Sequence, residues 1–338
     1  MVNKNILKKV SLISFCFTIT VFNSQQKDSI KKVTLKPNTS KIIKKEAAER
    51  FPKTRLLNIE YNQLSPYNYS SNYKETPLPE GKVKNVSQIS VSSNVNIIKK
   101  KKWSFSTILN YRYINTTADA SDIFSDNKNL TRQKEDFHYF SGSASLGYYS
   151  KLFGKTMIYS GTATVDASDK DFGRLRGFLT ATMVLKATPE TKMTVGIIGL
   201  VDPNAIVPAF MTFSYEHQFN NGWIFDAIIP KWVYIRKEVS DQGRLSFGTE
   251  LGGTLFYVYN NDKAYTFSQM DINSGFLYEQ TLGNSFILSA KTGVCYSPSS
   301  RLMEKDAEFS DYIFDTKPKP SFYFNVGVSF NPFKKSKQ

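Results

Sequence analysis

The sequence predicts an all-β protein, a transmembrane antiparallel up-and-down β-barrel of about 12–14 strands. Three observations predict it. The first residues have the composition of an export signal, and apolar and polar residues alternate along most of the chain from residue 55 onward. The last segment repeats this alternation with aromatic side chains and ends on Phe333. Together they favour a barrel that is exported and then assembled in a membrane.

The N-terminus is typical of a secretory signal. Lys4, Lys8 and Lys9 form a basic region, an apolar stretch of residues 10–22 follows, and the small residue Ser24 stands at the expected cleavage point. A membrane-spanning helix needs roughly 20 apolar residues, so this stretch is short for one. We therefore expect a signal peptide at residues 1–24. No later segment is apolar for long enough to be a transmembrane helix.

Residues 25–54 are rich in lysine and poor in aromatic residues, and they carry much of the formal net charge of +15. Such a segment is usually a solvated arm, so we expect a basic flexible periplasmic tail. Export argues against nucleic acid as a partner, whereas outer-membrane lipid and lipopolysaccharide are compatible with the charge. After cleavage Cys295 is the sole remaining cysteine, which excludes an intramolecular disulfide.

Residues 55–333 are expected to form the barrel, because their dominant period is two. In residues 103–113, Trp103, Phe105 and Leu109 share one face and Ser104 and Ser106 the other. The expected strands, about fourteen in all, are residues 55–63, 86–98, 103–114, 137–151, 156–166, 175–187, 192–200, 209–219, 223–229, 232–239, 245–259, 265–279, 285–296 and 320–333.

The segments between these strands mostly alternate between long and short. The expected long ones include residues 64–85, 115–136 and 297–319. Transmembrane barrels have short periplasmic turns and longer outer loops, so the alternation places both chain ends in the periplasm. The scheme requires a turn at Pro230, which is reasonable because proline interrupts a strand ladder.

The last strand has the pattern of an assembly signal for bacterial outer-membrane barrels, which makes the barrel-assembly machinery an expected partner. Its residues are Phe322, Phe324, Val326, Val328, Phe330 and Phe333. The chain departs from the usual pattern because a short tail, residues 334–338, follows the last phenylalanine.

Residues 51–61, 207–208, 213–219, 221–230 and the glycine-rich strand 248–257 resemble an uncharacterised family of Gram-negative outer-membrane β-barrels, a domain of unknown function. The resemblance covers nearly the whole mature chain. It implies a barrel located in the cell outer membrane. It implies no substrate, cofactor or catalytic residue.

The residues themselves point to no enzyme. The two histidines, His138 and His217, fall in separate strands, and no metal-ligand spacing, phosphate-binding loop, dinucleotide fingerprint or nucleophile elbow is present. We therefore expect no catalytic, cofactor-binding or metal-binding residues. An outer-membrane lipase is the enzymatic alternative, with His138 near the outer rim and Ser168 or Ser121 as its partner.

Charged residues that share the polar face of the strands are the candidate lumen-lining residues. A Lys or Arg on the lipid face costs about 2–4 kcal/mol at mid-bilayer, so these residues should face inward. They are Glu60, Arg112, Arg176, Lys186, Glu216, Asp226, Glu250, Asp271 and Lys291. They either line a pore and set its selectivity, or pair across the lumen and plug it.

Three functions remain open. The first is a porin-like passive pore or small-solute transporter with a polar lumen. The second is a structural, adhesive or partner-binding barrel that transports nothing. The third is a soluble envelope β-sandwich that binds glycan or protein. The transported solute stays undefined.

Overall fold

The computed structural model describes residues 55–331, apart from residues 125–128, 203–204, 206–207, 262 and 284. The expected signal peptide, the basic tail and residues 332–338, including Phe333, lie outside the described residues. The described chain forms sixteen antiparallel strands in one sheet. They are β1 (Leu57–Leu64), β2 (Tyr67–Tyr73), β3 (Thr76–Lys99), β4 (Trp103–Ser121), β5 (Leu130–Leu152), β6 (Lys155–Ala167), β7 (Phe172–Ala187), β8 (Thr191–Val201), β9 (Ala209–Gln218), β10 (Trp223–Ile229), β11 (Trp232–Glu238), β12 (Gly243–Asn260), β13 (Lys263–Leu282), β14 (Phe286–Glu304), β15 (Tyr312–Pro318) and β16 (Ser321–Phe330).

The sheet closes on itself. Strand β1 pairs on one side with β3 and on the other with β16, where Leu57 lies opposite Phe330 and Leu64 opposite Tyr323. The prediction of an antiparallel barrel is confirmed. A sandwich of two separate sheets is excluded, because the described strands belong to a single closed sheet. No helix in the part of the chain that the structure describes has the length and apolar character to cross a membrane.

At two positions around the barrel, two consecutive shorter strands take the place of one long strand. Strands β1 and β2 pair with β3 in one unbroken register, with Leu64 opposite Val86 and Tyr67 opposite Val83. Strands β16 and β15 share one register along β14 in the same way. The sixteen strands therefore occupy fourteen positions around the barrel. Pro66 and Pro320 stand at the two breaks, since proline has no N–H to donate to the ladder.

The barrel wall has very uneven height. We define the inner end by Arg55 and Asn331, where the chain enters and leaves, and the outer end as the opposite one. Strands β10 and β11 have only seven residues each, whereas β3 has 24 and β5 has 23. At the outer end the wall therefore rises far above β10 and β11 on the side of β2–β5 and β12–β15.

The expected long connections 64–85, 115–136 and 297–319 are wrong over most of their length. They hold β2, the beginning of β3 and β5, the ends of β4 and β14, and β15. The physical reason is that the exterior face of these outer strand segments is polar, as at Asn68 and Ser70 of β2, and part of the inner face is polar too, as at Thr131 and Gln133 of β5. The alternation of a lipid-facing strand is therefore absent there, and polar sequence of this kind predicts a loop.

Above the short strands, the tall parts of the wall meet through side chains. The rings of Phe137 on β5 and Phe256 on β12 stack with their centroids 4.1 Å apart. At the turn between β6 and β7, Ser168 Oγ lies 2.6 Å from the hydroxyl of Tyr259. We call this contact between β5–β7 and β12 the seam. It closes the outer part of the barrel where backbone pairing stops.

Candidate functional site

Side chains alternate strictly between the two faces of the wall. Along β16 the residues Ser321, Tyr323 and Asn325 are buried, whereas Phe322 and Phe324 are exposed. The same holds in β9, where Thr212 and Ser214 point inward. Polar residues thus face the lumen and apolar residues the exterior, as the sequence predicted for these two segments.

The exterior of the barrel carries an apolar belt. Leu109 is 60% exposed, Met211 73% and Phe322 70%, although all three are large apolar side chains. Further members on other strands include Ile59, Leu146, Leu179, Ile197, Ile235, Phe276 and Val326. Apolar surface that surrounds a whole molecule is far larger than the patches found on soluble monomers. The belt therefore requires an apolar medium around the protein.

Beyond the belt, at the outer end, the wall carries exposed ion pairs. Lys319 donates to Glu80 over 2.6 Å, and this hydrogen bond lowers the pKa of the Glu80 carboxyl. Lys84 lies 2.6 Å from Asp119, and hydrogen bonding to Lys84 lowers the pKa of Asp119. These outer strand segments have the polar character of a surface that meets water.

The lumen contains one large chamber of about 890 Å³. Most of its wall comes from the inner faces of β1–β5 and β12–β16, and Thr164, Arg176, Phe178 and Trp232 add to it from β6, β7 and β11. The chamber reaches the outer end, where Ser121, Thr131 and Asn260 line it. Polar residues such as Asn58 and Asn325 line its lower part. Aromatic residues line its upper part: Tyr67, Tyr69, Phe124, Phe137, Phe256, Tyr259, Phe267 and Phe314. A volume of this size accommodates a small organic solute.

The chamber lies off-centre because small polar side chains fill the lumen beside β5–β9. Ser143 and Thr164 are hydrogen bonded at 2.9 Å, and Ser160 and Thr180 at 2.8 Å. The buried members of this packed region are Ser143, Ser145, Ser160, Thr162, Thr164, Thr180, Thr194, Thr212 and Ser214. Close packing on this side leaves the open volume against β1–β5 and β12–β16.

At the inner end, two arginines enclose one carboxylate. Glu279 accepts a hydrogen bond from Arg55 at 2.7 Å and is also bonded to Arg244. Arg55 is 1% exposed and donates in addition to Ser329 at 3.1 Å. All of these groups lie near the inner ends of their strands, so they form a buried charged cluster on the wall below the chamber.

Further ion pairs lie on the inner face of the wall, each between two neighbouring strands. Asp226 and Arg236 lie 2.8 Å apart in a buried pair between β10 and β11. Lys192 and Glu216 pair at 2.9 Å between β8 and β9. We call these pairs, together with Glu279 and its arginines, the inner ionic layer. Its residues are held by opposite charges, which satisfies groups that burial would otherwise penalise.

A third pair forms part of the chamber floor. Lys291 on β14 donates to Glu250 on β12 over 2.7 Å, and the hydroxyl of Tyr234 donates to the same carboxylate over 3.0 Å. The amine and the carboxylate come from strands that are not neighbours in the sheet. The pair therefore bridges over β13 along the lower wall of the chamber.

Asp166 on β6 is the centre of the seam. Its side chain is fully buried and lies 2.6 Å from Arg176. It also accepts hydrogen bonds from the hydroxyls of Tyr139 at 3.1 Å and Tyr257 at 2.8 Å. One carboxylate thus links β5, β6, β7 and β12.

The structure brings most of the nine candidate lumen residues to the interior. Glu60, Arg112, Arg176, Glu250, Asp271 and Lys291 line the chamber. Glu216 and Asp226 belong to the inner ionic layer. Lys186 is placed differently, with an exposed side chain. The pairing of β7 with β8 shifts between Val184 and Lys186, and such an irregularity reverses the face on which following side chains lie.

Sequence reasoning missed several charged residues of the interior. The candidate lumen residues do not include Asp166, Arg55, Arg236, Arg244 or Glu279. The sequence does contain a signal for Asp166, because this residue falls on the same strand face as Thr162 and Thr164, which are buried. Strand parity would also have placed Arg236 on the same face as Tyr234.

The histidines lie among aromatic side chains on the outer face. His138 Nδ1 lies 2.9 Å from the hydroxyl of Tyr111, and its ring centre lies 5.2 Å from that of Tyr113 in a tilted arrangement. Ser168, one partner expected for a lipase, is bonded to Tyr259 at the seam instead. Among the described residues, no three His, Cys, Asp or Glu side chains converge in a way that would hold a metal ion.

Comparison with known proteins gives one family. A family profile with the description "Domain of unknown function (DUF6268)" matches residues 55–331. No curated protein sequence is significantly similar to the chain.

Three solved structures illustrate the similarity of fold. The first is an outer membrane channel from Pseudomonas putida F1, at 11% identity over 83% of this chain and 96% of that chain, with a TM-score of 0.36. The second is the Pseudomonas putida toluene transporter TodX, at 11% over 95% and 98%, with a TM-score of 0.38. The third is the transport unit of the autotransporter AIDA-I from Escherichia coli, at 11% over 82% and 91%, with a TM-score of 0.33.

Proposed function

Since the chain belongs to the family described as a domain of unknown function, DUF6268, its function has to come from its geometry, and we propose a gated outer-membrane channel for a small solute. The solute enters the chamber from the outer end. The inner ionic layer keeps the lumen closed until it rearranges.

The apolar belt supports the location in a membrane. A closed antiparallel barrel satisfies its own backbone hydrogen bonds, and barrels and helices are the structures that can span lipid. The apolar exterior of this barrel matches lipid, and its exposed ion pairs, such as Lys319 with Glu80, lie beyond the belt. The export signal expected at residues 1–24 agrees with an outer-membrane location.

The strand connections support one orientation. Both described chain ends lie at the inner end, where all turns are short, as at residues 100–102 and 153–154. The longer connections, residues 122–129, 202–208 and 305–311, all lie at the outer end, although other outer turns, such as residues 230–231, are short. In bacterial barrels the short turns are periplasmic. The chamber then opens to the outside of the cell, next to lipopolysaccharide, and the inner ionic layer faces the periplasm.

The chamber is the observation that carries the transport proposal. A barrel with a purely structural role has no need of about 890 Å³ of open lumen with a polar floor and an aromatic upper wall. The ionic layer below it argues against a permanently open pore, because ions would have to pass between paired, buried charges. A gated channel reconciles both features.

Conductance of the purified, full-length barrel in planar lipid bilayers tests this proposal. We expect the wild-type protein to be mostly closed, with brief openings. Glu279→Gln removes the carboxylate between two arginines, so we expect it to increase the open fraction. Glu308→Gln serves as a control, because Glu308 is exposed in the connection between β14 and β15.

The outcomes separate the competing functions. If wild type and Glu279→Gln both fail to conduct and fail to admit solutes into liposomes, the transport proposal is overturned in favour of a non-transporting barrel. The ionic layer itself is the feature that favours that second candidate. If the mature protein stays folded and soluble without detergent, the membrane location is overturned.

A further inference from the structure

Arg112 extends from β4 across the lumen without a carboxylate partner. Its guanidinium donates to the carbonyl of Gly253 on β12 at 3.4 Å and lies 5.9 Å from the ring centre of Tyr139. Among the described residues, no Asp or Glu oxygen lies within ion-pair distance of it. A guanidinium in a confined lumen that is held by one long hydrogen bond keeps most of its donors available.

Asp271 on β13 is the complementary group. Its carboxylate accepts hydrogen bonds from Ser297 at 2.6 Å, Gln269 at 2.7 Å and Thr254 at 3.4 Å, and the thiol of Cys295 lies 3.9 Å away. No Lys or Arg in the described part of the chain pairs with it. These neutral donors fix the position of the carboxylate, and no cationic side chain is in direct contact with it.

The two groups lie close together at the chamber wall. Gly253, which holds the guanidinium of Arg112, follows Gly252, and Gly252 lies directly opposite Asp271 in the β12–β13 register. Both charged residues line the chamber. Opposite charges that are neighbours, and yet do not touch, define a gap for a ligand that carries both charges.

An aromatic surface continues from this gap toward the outer end. Phe256 stacks on Phe137 with centroids 4.1 Å apart and on Phe267 with centroids 4.6 Å apart. Phe256 is three positions beyond Gly253, and all three rings line the chamber. An apolar group attached to a charged head in the gap would pack against these rings.

We propose that the chamber binds a zwitterionic amphipathic solute, an apolar amino acid or short apolar peptide. Its carboxylate pairs with Arg112, its ammonium group pairs with Asp271, and its apolar side chains pack on Phe256 and its neighbours. A simple anion would pair with Arg112 and be repelled by Asp271. A simple cation would pair with Asp271 and be repelled by Arg112. A zwitterion satisfies both groups with charge-assisted hydrogen bonds.

This inference rests on the proposed function and can be tested apart from transport, by equilibrium binding to the folded full-length barrel in detergent. Isothermal titration compares three probes: the leucyl-phenylalanine dipeptide, its C-terminal amide and its N-acetyl form. The amide keeps the positive charge alone, and the N-acetyl form keeps the negative charge alone. We expect the dipeptide to bind at least about tenfold more tightly than either derivative, since each loses one charged hydrogen bond.

Variants assign each charge to its residue. Arg112→Met should weaken the dipeptide and the N-acetyl form and leave the amide unaffected, whereas Asp271→Asn should weaken the dipeptide and the amide. Glu135→Gln is the matched control, because Glu135 also lines the chamber and is exposed. The comparison of the three probes uses the wild-type protein alone. It therefore tests the zwitterion inference even if a variant does not fold.

Equal binding of the dipeptide and its N-acetyl form, or no binding of any probe, would overturn the zwitterion inference. If the barrel conducts ions but gives either of these binding results, the channel proposal still holds. Selective dipeptide binding in a barrel that never conducts would support the inference and overturn the channel.

Discussion

Replacement of Asp166 by Asn tests whether the seam depends on one buried carboxylate. Asp166 is fully buried, pairs with Arg176 at 2.6 Å, and accepts from Tyr257 at 2.8 Å and from the backbone N–H of Arg174 at 2.9 Å. Asparagine keeps an oxygen acceptor of similar size and removes the negative charge. The guanidinium of Arg176, which is 7% exposed, then lies in the wall without its carboxylate.

The expected cost follows from this geometry. Loss of one partner of a buried ion pair lowers the free energy of unfolding by about 3–5 kcal/mol, because the other charge stays buried. We expect Asp166→Asn to fall at the lower end, about 3 kcal/mol, since the asparagine oxygen still accepts one hydrogen bond. In the double variant with Arg176→Met neither charge is left unpaired, so the two losses should not add, and the coupling should be about 2 kcal/mol.

Urea unfolding of the barrel in lipid vesicles, followed by tryptophan fluorescence, measures these free energies. Asp136→Asn is the control, because Asp136 is exposed on the outer face and accepts from Tyr113 at 2.8 Å. Its loss should cost no more than about 0.5 kcal/mol. If Asp166→Asn costs as little as the control, or if the double variant costs the full sum, the seam does not depend on this carboxylate.

Two further substitutions test the wall itself. Val326→Lys places a charge within the apolar belt and should lower the free energy of unfolding in lipid by about 2–4 kcal/mol. Val239→Lys, beside an inner turn, is the control and should lower it by about 0–1 kcal/mol. Equal losses for the two variants in vesicle unfolding would argue against a membrane around the belt. Gly275→Ala should prevent folding or lower stability strongly, because its Cβ would lie 2.1 Å from a backbone oxygen. Gly142→Ala is the control, since its Cβ would find only an ordinary contact at 3.7 Å, and similar heat-modified gel migration for both alanine variants would contradict the expected clash.

The sequence was enough to predict the strand segments within the belt and most of their faces, because a barrel wall imposes period two wherever one face meets apolar surroundings. Around the apolar belt the expected strand 103–114 lies within β4, and Leu109 faces outward as predicted. Where the outer strand segments rise beyond the belt, the exterior face is polar, and at the beginning of β5 both faces are polar, so the alternation disappears there. The beginning of β5, for example, reads Thr131-Arg-Gln-Lys-Glu-Asp136 and was assigned to a loop.

The ion pairs were beyond the reach of sequence reasoning for a different reason. Strand parity indicates that a charged residue faces the lumen, but the partner depends on barrel register and on how far a side chain reaches. Arg55 and Glu279 are 224 residues apart and meet because β1 follows β16 and β14 around the barrel. Arg112 reaches β12 because the wall between β5 and β12 is short, and strand length of that kind was not foreseen.

The choice of charges for the inner closure supports a gate more than a fixed plug. Well-packed apolar residues stabilise an interior at least as well as buried ion pairs, so Asp226 with Arg236 offers no stability that leucines would lack. The charged layer and an apolar plug differ in what happens when the lumen opens. Charged groups that separate into a wet lumen recover their hydration, whereas separated apolar groups lose packing and gain nothing from water. A layer of paired charges therefore lowers the free energy of an open state relative to an apolar plug, as a channel that opens and recloses requires.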